Sequence, residues 1–161
     1  MEIWDAYNAD GTRIEGVTIL RGKPLPEGMR HLVCDVIVRH MDGEYLLMQR
    51  DPRKHYGLMW EATAGGSALA GEEPYECAVR ELCEETGIVC RDLVEVGKVV
   101  SSDTIYVEYL CVTDWEKENI TLQEGETVAF KWVSRDKLLK MKRDELITER
   151  MQKFVDELCQ Q

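Results

Sequence analysis

The stretch from Gly65 to Ile88 limits the fold of this chain more than any other, because it joins helix punctuation to an unusual density of charge. Pro74 suits the first turn of a helix and Gly87 its left-handed end, so the spacing predicts a helix over Pro74–Thr86, about three and a half turns long. The segment carries six Glu and one Arg, a local charge of −5. Glu81, Glu84 and Glu85 lie three and four residues apart and project from one helix face, while Ala78 and Leu82, with Val79 and Cys83, supply an apolar side. Arg80, four residues after Glu76 and four before Glu84, relieves part of the repulsion. A solvated acidic face is one outcome of this pattern. The other is a cation site: Gly65-Gly66 lets backbone approach a ligand closely, and clustered hard oxygen donors suit Mg²⁺ or Mn²⁺.

Such a helix needs a sheet to bury its apolar side, and the flanking sequence provides strand patterns. Ile3–Tyr7 and Ile14–Leu20 flank the turn residues Asn8–Gly11 and predict a hairpin. A second hairpin is predicted from His31–Arg39 and Glu44–Arg50 across Met41-Asp42-Gly43. Ile88–Val100, Ile105–Thr113 and Ala129–Val133 read as further strands, with Asp114–Glu126 an acidic loop. Ser134 offers a cap for a helix over Lys137–Met141, and Arg143–Cys159 has apolar residues at helical spacing. Interspersed strands and helices predict an α/β protein, a mixed sheet with helices packed on it.

At 161 residues the chain suits one structural domain. Residues 1–28 read as an amino-terminal hairpin extension packed on the domain proper, 29–161, and the hairpin either extends the sheet or makes a homodimer contact. A net charge of −11 is the wrong sign for wrapping duplex phosphates, so bulk nucleic acid is not an expected partner. No apolar run reaches bilayer length, so no membrane partner is expected either. Met1–Asp5 shows no basic-then-apolar leader, which predicts a cytoplasmic protein. The six cysteines lack C-x-x-C spacing and read as reduced, mostly buried thiols.

The residues from Gly66 to Ile88 also resemble a known signature. They fit the Nudix box, G-x(5)-E-x(7)-R-E-U-x-E-E-x-G-U with U aliphatic, at Gly66, Glu72, Arg80, Glu81, Leu82, Glu84, Glu85, Gly87 and Ile88. Every defined position is filled, and the chain is identified as a member of the MutT-like Nudix hydrolases, similar from about His31 to its end. The resemblance implies an α/β/α fold, with the mixed sheet sandwiched between helices. It implies hydrolysis of a phosphoanhydride in a nucleoside diphosphate linked to another moiety, or a related diphosphate, by water attack at phosphorus with Mg²⁺ or Mn²⁺. Glu81, Glu84 and Glu85 fall on metal-ligand positions and Gly65 where a backbone carbonyl joins them. Arg80 falls where a side chain orients the box glutamates, and Glu72 where a carboxylate supports that arginine.

The general base is left open by the resemblance, between the box helix and a later loop. Glu124 and Glu126, in Gln123–Val128, resemble the acidic loop that supplies an extra ligand or base in the MutT-like and isomerase-like branches. Arg50 and Arg53, within the basic run that includes Lys54 and His55, are phosphate-binding candidates, and solvated surface charge is the competing reading. Trp60 is a core aromatic or a pocket wall. Tyr106, eighteen residues after Ile88, stands near a tyrosine associated with diadenosine polyphosphate hydrolases, or is a structural strand residue. The small-molecule partner is therefore a nucleotide or diphosphate of unspecified class.

Two other readings share the fold. The flanks resemble isopentenyl-diphosphate isomerase, but the cysteine and histidine that enzyme relies on align here with Gly65 and Ser67, leaving only His31 from its metal set. A non-catalytic nucleotide-binding module is the third reading, and an intact box argues against it.

Overall fold

Period-two patterning becomes nine strands in the computed structural model, which describes residues 1–160. β1 (Ile3–Tyr7) and β2 (Arg13–Leu20) form an antiparallel two-stranded sheet of their own. The hairpin thus does not extend the main sheet, as one expectation had it. Its end is bridged to the start of the domain between Tyr7 and Arg30. The main sheet contains β3 (His31–His40), β4 (Tyr45–Arg50), β5 (Trp60–Glu61), β6 (Ala64–Ser67), β7 (Leu93–Val100), β8 (Thr104–Thr113) and β9 (Thr127–Val133). Its path runs β5-β4-β3-β8-β7, with β6 paired to β3 and β9 to β4. β3 and β8 are parallel from His31↔Thr104 to His40↔Thr113, and the other pairs are antiparallel, so the sheet is mixed.

β3 is apolar on both faces because both are covered. Leu32, Cys34, Val36 and Val38 pack with Leu46, Met48 and Val107 against Cys77, Ala78 and Leu82 of α1 (Pro74–Thr86). Ile37, Tyr45, Leu47 and Val133 pack on the other side against Leu138 of α2 (Arg135–Lys140) and Met151, Phe154, Val155 and Leu158 of α3 (Glu149–Cys159). The predicted helix–sheet–helix layering follows from these two cores.

α1 has the predicted bounds. Pro74 opens it, the Glu76 carboxylate accepts the Glu73 amide at 2.9 Å, and Gly87 closes it at φ 79° with its N–H donating to Cys83 O. Ser134 caps α2 as expected, accepting from Lys137 N.

Two expected elements are shorter. Ile88 does not open a strand: its amide donates to Thr86 Oγ1 and its side chain is buried with Leu82, so pairing starts only at Leu93. Nor does a helix begin at Arg143, because residues 145–147 bond β5 instead. The Trp60 amide donates to Glu145 O at 2.8 Å and the Ile147 amide to Trp60 O at 3.1 Å. Thr148 then caps α3 by accepting from Met151 N. All six cysteines are free; four are buried, Cys90 is half-buried and Cys83 is exposed.

Beneath α3 the sheet buries two carboxylates on one guanidinium. Arg150 lies 2.6 Å from Asp35 and 3.4 Å from Glu108, and one cation cannot neutralise both. Burial, with the Asp35 charge added and Arg150 opposing, raises the Glu108 pKa to about 7. The folded state therefore favours the protonated form; this contribution is complete below the ordinary carboxylate range and is lost as pH rises through about 7. We expect urea unfolding of the wild type to show stability falling by on the order of 2–3 kcal/mol more than that of Glu108→Gln between pH 4.5 and 8. Parallel pH profiles for the two proteins would refute the assignment.

Candidate active site

The box loop and α1 meet at β6. Gly65 and Gly66 pair with Asp35 and Cys34 of β3, which brings their backbone under the last two turns of α1. The Gly65 amide donates to Glu85 Oε2 at 3.2 Å, and the space a Cβ on Gly66 would need is filled by the Glu81 carboxylate. The glycine pair is thus explained by close approach to side-chain oxygens.

Arg80 organises the acids. Its Nε and Nη2 donate to the two Glu72 oxygens at 2.7 and 2.9 Å, a bidentate pair. Nη1 donates to Glu81 Oε1 at 2.7 Å and Glu84 Oε2 at 3.2 Å, and Nη2 also reaches Ser67 O at 3.1 Å. Burial pushes the Glu72 pKa upward, but the Arg80 bonds and charge and the Leu69 amide more than reverse it, so this carboxyl sits below its usual range. Glu72 therefore stays ionised and fixes the guanidinium that in turn holds Glu81 and Glu84.

Glu85 is the most perturbed of these acids. It is 6% exposed, and burial followed by the charges of Glu61 and Glu81 raises its pKa well above the usual range, against the Gly65 amide and Lys54. Burial raises Glu81 as well, with Glu84 and Glu2 adding to it and Arg80 opposing. Perturbed carboxyls of this kind cluster at functional sites because desolvation and like charge are costly to maintain elsewhere.

These groups line one cleft of about 220 Å³, together with Lys54, Gln123 and Glu126. Lys54 is ion-paired with Glu126, and the Glu126 carbonyl accepts the Asp51 amide at 2.9 Å, which ties the acidic loop to the segment after β4. A larger cavity of about 400 Å³ lies between Tyr7, Arg13, Leu32 and Lys98, but the convergent perturbed carboxyls are in the smaller one. The site is assigned there on chemistry rather than size.

Of the residues expected from sequence, Gly65, Gly66, Arg80, Glu81, Glu84, Glu85 and Glu126 come together in this cleft, and Glu72 supports them. Glu124 is exposed and does not line it. Four candidate substrate residues are also placed elsewhere. Arg50 is ion-paired with Glu61 and donates to His55 O at 2.8 Å. Arg53 forms a bidentate pair with Asp51 at 2.8 and 2.7 Å, and its side chain is exposed. Trp60 packs in the core on the α3 side of the sheet, with the Lys131 ammonium 4.1 Å from its ring. Tyr106 lies on that side too, 3.7 Å beneath the Arg150 guanidinium. Strand parity decides both aromatics, since their immediate neighbours Glu61, Ile105 and Val107 point toward α1.

Of the basic run Lys54 alone reaches the cleft, and Gln123 of the acidic loop lines it too, whereas Glu61, the half-buried acid beside Glu85, and three hairpin residues, Glu2, Trp4 and Arg21, are absent from the sequence-derived set. Alternation after Trp60 signals the inward orientation of Glu61. Nothing local signals the hairpin residues. His31, the remaining isomerase-like residue, has Ser67 Oγ 3.3 Å from Nδ1 and Thr104 Oγ1 3.1 Å from Nε2, so it is bonded within the wall.

The family model described as NUDIX domain matches residues 29–158. The chain belongs to the Nudix domain family. A Nudix hydrolase of Listeria monocytogenes is 30% identical over 145 residues, covering 86% of this chain and 83% of its own. Among solved structures, a Deinococcus radiodurans protein superposes with a TM-score of 0.79 at 19% identity, over 97% of this chain and 98% of its own. The NUDIX domain of Shewanella oneidensis NrtR, solved in complex with ADP-ribose, gives a TM-score of 0.67 at 16% identity, over 81% of this chain and 87% of its own. This Nudix hydrolase therefore shares its fold along nearly the whole length of one neighbour, hairpin included.

Proposed function

We propose that this Nudix hydrolase cleaves a phosphoanhydride bond in a nucleoside diphosphate linked to a second moiety, by attack of water at phosphorus. The observation that carries the reading is the lining of one cleft by Glu81, Glu84 and Glu85, with Glu85 bonded to the Gly65 amide, opposite the Lys54–Glu126 pair. The ADP-ribose complex of the Shewanella NUDIX domain supports a substrate of this class.

The donor set fits a hard divalent ion: oxygen ligands only, several carboxylates, and burial with mutual repulsion that a cation would offset. Among the described residues no group of three or more acid, His or Cys side chains is gathered for an ion as they stand. The Glu81 and Glu84 oxygens are held by Arg80 and one from Glu85 by the Gly65 amide. A bound cation would draw on the Glu81, Glu84 and Glu85 side chains, which share one face of α1, and on Gly65, whose amide already bonds Glu85. Glu81, Glu84, Glu85, the Gly65 carbonyl and Glu126 would then hold Mg²⁺ or Mn²⁺, which when bound supplies charge at the phosphate oxygens and a more acidic water.

The remaining work belongs to the chain itself. Arg80, anchored by Glu72, keeps Glu81 and Glu84 from swinging into solvent. Glu126 lies on the loop wall, paired with Lys54, and in this reading it either joins the ion or, free of it, takes the proton of the attacking water from outside the box helix. Incubation with ADP-ribose, other nucleoside diphosphate derivatives, dinucleotide polyphosphates and nucleoside triphosphates, in Mg²⁺, Mn²⁺ or chelator, tests the reading. Cleavage of one class that chelation abolishes is expected. A folded protein without turnover across the panel overturns hydrolysis and favours the binding-module reading.

A further inference from the structure

We propose that the amino-terminal hairpin builds the substrate side of the cleft, with Trp4 stacking the base and Arg21 binding the phosphates of a nucleoside diphosphate derivative. The proposal rests on the substrate class proposed above. It concerns residues that lie outside the matched family segment, 29–158.

The hairpin is fastened to the box loop. The Ala70 amide donates to Ile3 O at 2.8 Å, the Gly71 amide to Asp5 Oδ2 at 2.8 Å, and Arg13 bridges Asp5 and Glu73 at 3.3 and 2.7 Å. These ties set the face of the hairpin bearing Glu2, Trp4 and Arg21 into the wall of the carboxylate cleft. Glu2 and Trp4 share a face by alternation, and Arg21 stands opposite Glu2 through its amide bond to Glu2 O at 3.1 Å.

Trp4 is the only aromatic among the cleft-lining residues described. Its ring stacks on His31 with centroids 4.6 Å apart and planes at 21°, and His31 is itself held by Ser67 and Thr104. The indole is therefore fixed in orientation before a ligand arrives, as a stacking platform requires. Glu2 accepts from the indole Nε1 at 3.3 Å and from Arg21 Nη1 at 2.8 Å, linking the two side chains.

Arg21 is distinguished by what it leaves unused. Of the three cleft-lining cations, Arg80 is engaged by Glu72, Glu81 and Glu84, and Lys54 by Glu126. Arg21 pairs with Glu2 alone among the described residues, its side chain 61% exposed. A guanidinium bound through one N–H keeps donors for phosphate oxygens.

ADP-ribose cleavage, followed as AMP release with pyrophosphate as a competing ligand, separates the two roles. Trp4→Ala should raise the KM for ADP-ribose roughly tenfold, leave kcat within about a factor of three and leave inhibition by pyrophosphate unchanged. Arg21→Ala, an exposed change that spares the hairpin fold, should raise both KM and the pyrophosphate inhibition constant roughly fivefold. Trp4→Phe, which keeps a ring on His31, should restore most of the loss and controls for folding. Unchanged KM values in Trp4→Ala and Arg21→Ala overturn the proposal. Calorimetric titration with ADP-ribose and Mn²⁺ keeps the two readings apart. Trp4-dependent binding without cleavage sinks the hydrolytic reading but supports the hairpin site; absence of both binding and cleavage overturns both.

Discussion

Glu85→Gln is expected to lower turnover by on the order of a thousandfold or more while leaving the fold intact. The amide preserves the shape of the side chain, and its oxygen can still accept the Gly65 N–H. What it removes is a charge that burial and the charges of Glu61 and Glu81 oppose. In the absence of metal the variant should therefore melt no lower than wild type at pH 8, because the wild type must either hold a buried carboxylate or keep it protonated. Adding Mn²⁺ should raise the melting temperature of the wild type and much less that of the variant, since a ligand stabilises only through the state that binds it. Turnover near wild type in Glu85→Gln would sink the metal-ligand assignment. A large loss of melting temperature in the metal-free variant would instead make Glu85 a structural residue.

Local signals made α1 legible: Pro74, Gly87 and the three- and four-residue spacing of Glu81, Glu84 and Glu85 need no partner to be read. The Arg80–Glu72 pair was legible only through the family signature, since it crosses the loop before the helix. The short strands were not legible. β5 has two residues and exists because Gln49 and Met48 pair with it, and residues 145–147 are irregular because β5 takes their backbone bonds. The two aromatics each had a structural reading and a pocket reading, and the structural one holds. Trp60 and Tyr106 could only be assigned to the α3 side once the register of β4 and β8 was known. The hairpin's place beside the cleft was hidden for a different reason: it is set there by tertiary contacts of Ile3, Asp5 and Arg13 with residues 70–73 and of Trp4 with His31, which no periodicity within Met1–Gly28 reports. Local chemistry was thus readable and long-range complementarity was not.

The glycine pair offers the second large effect, and its two members should fail differently. Neither glycine is in the left-handed region, so room, not backbone conformation, sets what each position accepts. A methyl at Gly66 would overlap the Glu81 carboxylate, the far end of a flexible side chain that can retreat. Retreat breaks the 2.7 Å bond from Arg80 and displaces an oxygen by an ångström or more. Gly66→Ala should therefore cut turnover about a hundredfold with stability within about 1 kcal/mol of wild type. At Gly65 the same methyl would stand 2.5 Å from Asp35 Oδ1 and 2.8 Å from the Cys34 carbonyl, and Cys34 lies in the central strand, covered on both faces. That backbone has nowhere to go. Gly65→Ala should cost about 1–3 kcal/mol of stability or more, because relief requires β6 to part from β3. Urea unfolding and turnover measured on both proteins test the contrast. Gly66→Ala with undiminished activity would show that the Glu81 carboxylate need not lie against the loop, and would remove it from the proposed ligand set.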